Sequence, residues 1–94
     1  MRLIWSDLAL DDLADIRRSI AALNPPAAER VAVAIKQSAQ KLRDFPYCGR
    51  QEDDGTRTLV VVDYPSYSLI YEVSPVARET SVTILTVWKN WFPR

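Results

Sequence analysis

The tripeptide Asn24-Pro25-Pro26 separates two stretches of helical periodicity, and it constrains the fold more than any other feature of the chain. Before it, Ala9, Leu13, Ile16, Ile20 and Leu23 recur at alternating spacings of four and three, which draws one apolar stripe on a helix over residues 7–23. Ser6 is placed to cap that helix, and Asp7 sits in the first turn, where the helix dipole favours a negative charge. After it, Val31, Ala32, Ile35, Ala39 and Leu42 draw a second stripe over residues 25–44. Asn24 can cap this second helix, and Pro25 fits its first position, where a missing N–H costs nothing. So short a connection forces the helices antiparallel, as a helical hairpin. Ala28, Ala32 and Ala39 line the shared face and allow close approach.

Strands flank the hairpin. "RLIW" reads as a first strand over residues 2–5. "DFPYCGRQEDDGT" carries Pro46, Gly49 and an Asp54–Gly55 turn signal, and reads as loop. "RTLVVV" is a β-branched run, a strand over residues 57–62 with two apolar faces and so expected at the centre of the sheet. "YSLIYEV" alternates as a half-buried strand over residues 67–73, "SPVARET" is a second loop, and "SVTILTVW" is a last strand over residues 81–88. Short connections favour an antiparallel meander for these three. The predicted class is α+β: an N-terminal strand, then a helical hairpin packed on one face of a small antiparallel sheet, in the order β-α-α-β-β-β. Residues 1–94 form one domain, and a chain of this size buries roughly 60–65% of its unfolded surface, which leaves a thin core and no deep enclosed site.

Charge and composition exclude several functions. Twelve basic and twelve acidic side chains give no net charge, whereas nucleic-acid binders usually carry a basic excess to neutralise phosphate. Direct sequence-specific nucleic-acid binding is therefore not expected. Histidine is absent, which removes the commonest general base and zinc ligand. Cys48 is the single cysteine, so an internal disulfide is impossible and no cysteine cluster can hold a metal. No metal and no cofactor are expected. The N-terminus lacks a signal-peptide pattern, and no stretch approaches the roughly 20 apolar residues of a membrane span. The expected setting is a reduced, cytoplasmic one without membrane contact.

No catalytic motif is present: no Cys–His pair, no G-x-S-x-G elbow, no phosphate loop and no H-E-x-x-H. Glu52, Asp53 and Asp54 read as a solvated turn beside Gly55, and Asp11, Asp12 and Asp15 as a wet helix face. Nothing local lowers the Cys48 pKa to make it a nucleophile. Arg57 opens a strand, either pairing with Glu52 or Asp63 or facing a partner. Trp5, Tyr67 and Tyr71 read as strand packing, while Trp88 ends the last strand. Beyond it, Trp91 and Phe92 stand between Lys89 and Arg94, the aromatic-plus-cation composition of a binding hot spot.

Several segments together carry a resemblance. Trp5 followed by Ala9, Asp12, Leu13 and Ile16, then "NPPAAERV", then Leu42 before "FPYCGR", then "TRTLVV", "YSLIYEV" and "VTILTVW" resemble the RelE/ParE superfamily of bacterial toxins, in that order over nearly the whole chain. The set is closer to ParE than to RelE. RelE-type members are ribosome-dependent ribonucleases that cut mRNA with a basic cluster and a C-terminal tyrosine. ParE-type members poison DNA gyrase by trapping its cleaved complex, and a ParD-like antitoxin neutralises them. Aligned with the nuclease type, Asp63, Ser68 and Asn90 stand where its arginines would be, and its lysines fall around Gly55 and Thr56. No counterpart of the tyrosine-bearing helix precedes Arg94. RNA cleavage needs groups that stabilise charge and move protons, and these positions are neutral or acidic. One departure from ParE is Trp88, which stands where that family commonly has a histidine.

The resemblance therefore implies a non-enzymatic toxin of a type II toxin–antitoxin module that binds DNA gyrase through its GyrA subunit. The expected target-binding residues are Arg57, Trp88, Lys89, Trp91, Phe92 and Arg94. The antitoxin is expected to lay an amphipathic helix in a groove between hairpin and sheet, lined by Leu10, Leu13, Arg17 and Ile35. For Leu13 and Ile35 the other reading is ordinary core. The competing functions are a divergent ribosome-dependent mRNA interferase, which predicts a basic open sheet face, and an inactive toxin that only binds its antitoxin.

Overall fold

The computed structural model describes residues 1–76 and 78–91. Its elements are β1 (Arg2–Trp5), α1 (Asp7–Ala21), α2 (Pro25–Asp44), β2 (Arg50–Gln51), β3 (Arg57–Val60), β4 (Tyr67–Val76) and β5 (Glu79–Lys89). The helices form the expected hairpin and pack across one face of a five-stranded sheet of order β1-β5-β4-β3-β2.

Both helix starts are set by the residues that the sequence marks. The Ser6 hydroxyl accepts from the Ala9 N–H at 3.0 Å, and the Asn24 side chain accepts from the Ala27 N–H at 3.1 Å. The end of α1 differs from the expected residue 23. Leu23 and Asn24 both donate to the Ile20 carbonyl, which tightens the chain into a turn. A residue before proline avoids helical geometry, and Asn24 takes φ −155° and ψ 90°. Leu23 is thereby thrown off the apolar stripe and is 92% exposed. The rest of the stripes behave as read: Ala9, Leu13, Ile16, Val31, Ile35, Ala39 and Leu42 are buried together. Ala28 and Ala32 are buried as well, which lets the two helices close on each other.

The sheet corrects three expectations. First, it is mixed. β3, β4 and β5 form the antiparallel meander, but β1 pairs with β5 in parallel, from Arg2 opposite Ser81 to Trp5 opposite Ile84. The helical hairpin between β1 and the meander returns the chain so that β1 borders the last strand instead of the next one. Second, β3 is not central. It stops at Val60, and only the two residues of β2 cover its outer side. Val60 and Val62 are exposed, so one face of the β-branched run meets solvent. Third, the last two strands run longer than expected. The hairpin pairing continues to Val76 opposite Glu79 and takes in part of the expected loop, including Pro75 opposite Thr80. β4 and β5 are thus the spine of the sheet. β2 itself falls within the expected loop; its two polar residues carry no strand signal.

Tyr71 ties the loop before β2 to the middle of the sheet. Its ring is fully buried, and its hydroxyl accepts from the Gly49 N–H at 2.9 Å. A Cβ at Gly49 would lie 2.6 Å from the Tyr71 hydroxyl oxygen and 2.9 Å from its ring carbon Cε1, closer than real contacts allow. Glycine is needed here for space, not for its backbone angles. Gly49→Ala is expected to destabilise the protein by about 1–3 kcal/mol, the range of overpacked sites, read as a shift of the urea midpoint.

Burial raises the Tyr71 phenol above its ordinary value of 10.0, outweighing a smaller downward pull from the Gly49 hydrogen bond. In the unfolded chain the phenol therefore ionises first as pH rises. Its share of the stability is fully present below pH 10.0 and is lost as pH climbs from there through the higher folded value. Alkaline unfolding curves of the wild type and Tyr71→Phe are expected to differ in slope above that pH, with the wild type falling more steeply.

Candidate functional site

The C-terminal end of β5 holds an exposed aromatic ring and a cation together in a defined frame. β1 covers β5 only as far as Ile84, so the strand has an open side from Leu85 onward. A register shift occurs at this point: Tyr71 pairs with Ile84 and Ile70 with Thr86, which leaves Leu85 as a bulge. From there the partners of β5 are Ser68 for Trp88 and Tyr67 for Lys89. Asn90 turns back onto the β3–β4 connection, its backbone N–H donating to the Ser66 carbonyl and its side-chain amide to the Pro65 carbonyl, both at 2.7 Å. Trp91 follows, 57% exposed, with its ring edge-on to Tyr67 at 5.7 Å between centroids and an interplanar angle of 69°. The Lys89 ammonium lies 6.0 Å from the Trp91 ring centre, at the outer limit of a cation–π contact.

Arg57 is elsewhere. It pairs with Tyr71, four residues along β4 from Tyr67 and so about 13 Å away, and on the far side of that strand from β5. Its guanidinium donates to the Tyr47 carbonyl at 3.1 Å and the Gly49 carbonyl at 2.9 Å, and lies 5.1 Å from the Tyr47 ring centre. Among the described residues no ion pair joins it to Glu52 or Asp63; Glu52 accepts from Arg50 and Thr58. Arg57 thus braces the loop that Gly49 and Tyr71 anchor. Phe92 and Arg94 lie outside the described residues.

The expected antitoxin groove comes out differently. Ile35 is wholly buried and lines no surface, because its place on the α2 stripe turns it into the core. Leu13 is 7% exposed. Leu10, half-exposed, lines a shallow depression with Leu13, Ala14, Arg17, Arg18 and Ala21, so the surface lies on the outer face of α1 alone. Arg17 there bridges the hairpin to Glu29 at 2.5 Å, and Arg18 pairs with Asp15. These are surface ion pairs and contribute under about 1 kcal/mol each.

The sheet face opposite the helices carries Thr58, Val60, Ser68 and Ile70 at its middle, by alternation from the core residues Leu59, Leu69 and Tyr71. None is charged. Ser68 is 1% exposed, and its hydroxyl has no hydrogen-bond partner among the described residues. Asn90 is occupied with the Pro65–Ser66 turn. Near the acidic turn, Asp54 accepts from the Thr56 N–H and hydroxyl around Gly55 at φ 88°. Among the described residues no three acids or cysteines converge as metal ligands, and no helix is long and apolar enough to cross a membrane.

The family model for the ParE toxin of the type II toxin–antitoxin system parDE matches residues 3–90. The chain belongs to the ParE toxin family. Among curated relatives it is similar to Toxin RelE2 of Caulobacter vibrioides, 38% identical over 73 residues, covering 78% of this chain and 81% of that protein. Among solved structures it is similar to one of the chromosomal ParDE TA system from P. aeruginosa, with a TM-score of 0.78, 22% identity and 95% of each chain covered. It is also similar to a YoeB/ParE toxin from Agrobacterium tumefaciens, with a TM-score of 0.67, 18% identity, and 95% and 98% of the two chains covered. At these identities the structural likeness establishes the shared α+β fold. In this toxin of a type II system the end of β5 thus brings Lys89 and Trp91 beside Tyr67, while Trp88 pairs with Ser68 on the opposite face of the sheet and Arg57 supports its loop.

The bracing role of Arg57 is testable. Arg57→Ala is expected to lower stability by about 1–3 kcal/mol, the range for hydrogen bonds to a charged group, seen in urea unfolding. An unchanged midpoint would return Arg57 to the set of surface residues free to contact a partner.

Proposed function

We propose that this toxin inhibits growth by binding DNA gyrase, through its GyrA subunit, and trapping the cleaved complex, without being an enzyme itself. The observation that carries the reading is the framed end of β5, where Trp91 stays exposed while set edge-on against Tyr67 beside Lys89. Large rings beside a cation, fixed on a rigid strand end, have the make-up of a protein-binding hot spot. Trp88, Lys89 and Trp91 form the target surface, extended by Phe92 and Arg94. The toxin acts in the cytoplasm, where gyrase is found. A ParD-like antitoxin neutralises it by placing an apolar helix face against the outer side of α1 around Leu10, Leu13 and Arg17. The likeness to a chain of the P. aeruginosa ParDE system supports that class of partner.

The name of the Caulobacter relative, Toxin RelE2, favours a second reading as a ribosome-dependent mRNA interferase. Against it stand the uncharged middle of the open sheet face and the positions of Ser68 and Asn90, the first buried and the second engaged with a turn. Neither can hold the charge of a cleaving phosphate as an arginine would.

Purified toxin with gyrase, ATP and supercoiled plasmid is expected to accumulate linear DNA after detergent and protease treatment. Trp91→Ala is expected to remove that product while the protein keeps its circular dichroism spectrum. A folded toxin that stops growth but yields no linear plasmid would overturn the gyrase reading, and cleaved transcripts in the same cells would establish the interferase.

A further inference from the structure

The open side of β5 is not left to solvent. Where β1 ends, the Ser6 N–H donates to the Ile84 carbonyl at 3.0 Å and the Ser6 hydroxyl to the Leu85 carbonyl at 2.8 Å. Beyond the bulge, one carboxylate oxygen of Asp12 accepts from both the Thr86 hydroxyl and the Val87 N–H, the latter at 3.1 Å. An acid from the middle of α1 thus takes the backbone donor that a neighbouring strand would otherwise take. Such charge-assisted bonds are shorter and roughly twice as strong as neutral ones. On the opposite side of the same segment, Asn90 bonds to both Pro65 and Ser66.

Trp88 and Lys89 lie between these two attachments, and Trp91 comes one residue after the second. A bulge bends and twists a strand, so the direction in which the following residues leave is not fixed by the ladder alone. Asp12 fixes it from the helix, and Asn90 fixes it from the turn.

We propose that Asp12 and Asn90 are positioning residues, which hold the Trp88–Trp91 segment in the orientation that its target accepts. The inference rests on the reading of that segment as the target surface. Neither residue need touch the target. Pre-ordering removes part of the entropic cost that a loose aromatic end would meet on binding.

The test combines growth arrest from an inducible gene with an NMR measurement of the Tyr67–Trp91 ring contact and a thermal melt. Asp12→Ala and Asn90→Ala are each expected to stay folded, to lose the ring contact, and to need about tenfold more toxin for growth arrest, the scale of one charge-assisted hydrogen bond. Asp12→Asn keeps an oxygen for the Val87 N–H and is expected to recover part of both losses. If Asp12→Ala fails to fold, Thr86→Val carries the same test, since it removes one donor and leaves the Val87 bond in place. A folded Asp12→Ala protein that retains the ring contact, or that loses it yet arrests growth at the wild-type dose, overturns the proposal. Trp91→Ala separates the two readings. If it arrests growth like the wild type, the segment is not the target surface and the functional part of the proposal fails with it, while the ring contact still decides whether Asp12 sets the geometry.

Discussion

β5 must satisfy its backbone on both sides although β1 reaches only its first half, and much of the structure follows from how the other half is covered. β4 supplies one side for the full length of the strand. On the other, Ser6 and then Asp12 take over where the parallel pairing stops. An unpaired edge strand invites pairing with other chains, and an inward-turned charge is one way in which natural sheets blunt it. Ser6 serves both elements, because the hydroxyl that caps α1 also donates to β5. The start of the helix and the edge of the sheet are therefore fixed by the same side chain.

A second set of contacts fixes the opposite end. Tyr71, fully buried in β4, accepts the Gly49 N–H, and Arg57 holds the Tyr47 and Gly49 carbonyls. The loop after α2 has few apolar residues in the core, and Phe45 and Tyr47 are largely exposed. It is ordered by polar bonds to a phenol and a guanidinium that the sheet has already positioned. This arrangement draws Arg57 into the scaffold, while the end of β5 holds the exposed Trp91 beside Lys89.

Much of this is legible in the sequence because it depends on local chemistry. The helix starts at Ser6 and Asn24 rest on caps three residues long, and the apolar stripes rest on a period that no distant contact alters. The hairpin follows from the length of the connection. Where the sequence misleads, the outcome depends on neighbours. β3 looks central from its valines, yet only the two residues of β2 pair with its outer side, and Val60 and Val62 face water. Leu23 continues the stripe on paper but falls past the cap. Ile35 could be assigned to a groove only because a sequence does not say how deep a stripe residue will lie.

The candidate site divides along the same line. Sequence alone determined the α+β class, the helical hairpin, and the grouping of Trp88, Lys89 and Trp91 at the end of a strand, since each is a matter of residue type and spacing. Only the tertiary structure decided that Arg57 braces a loop, that β1 runs parallel to β5, and that Asp12, which reads as one more wet acid on a helix, closes the sheet edge. The partners of Asp12 stand 74 and 75 residues away. A hydrogen bond over that separation exists only once the sheet has brought α1 alongside β5, and no local pattern announces it.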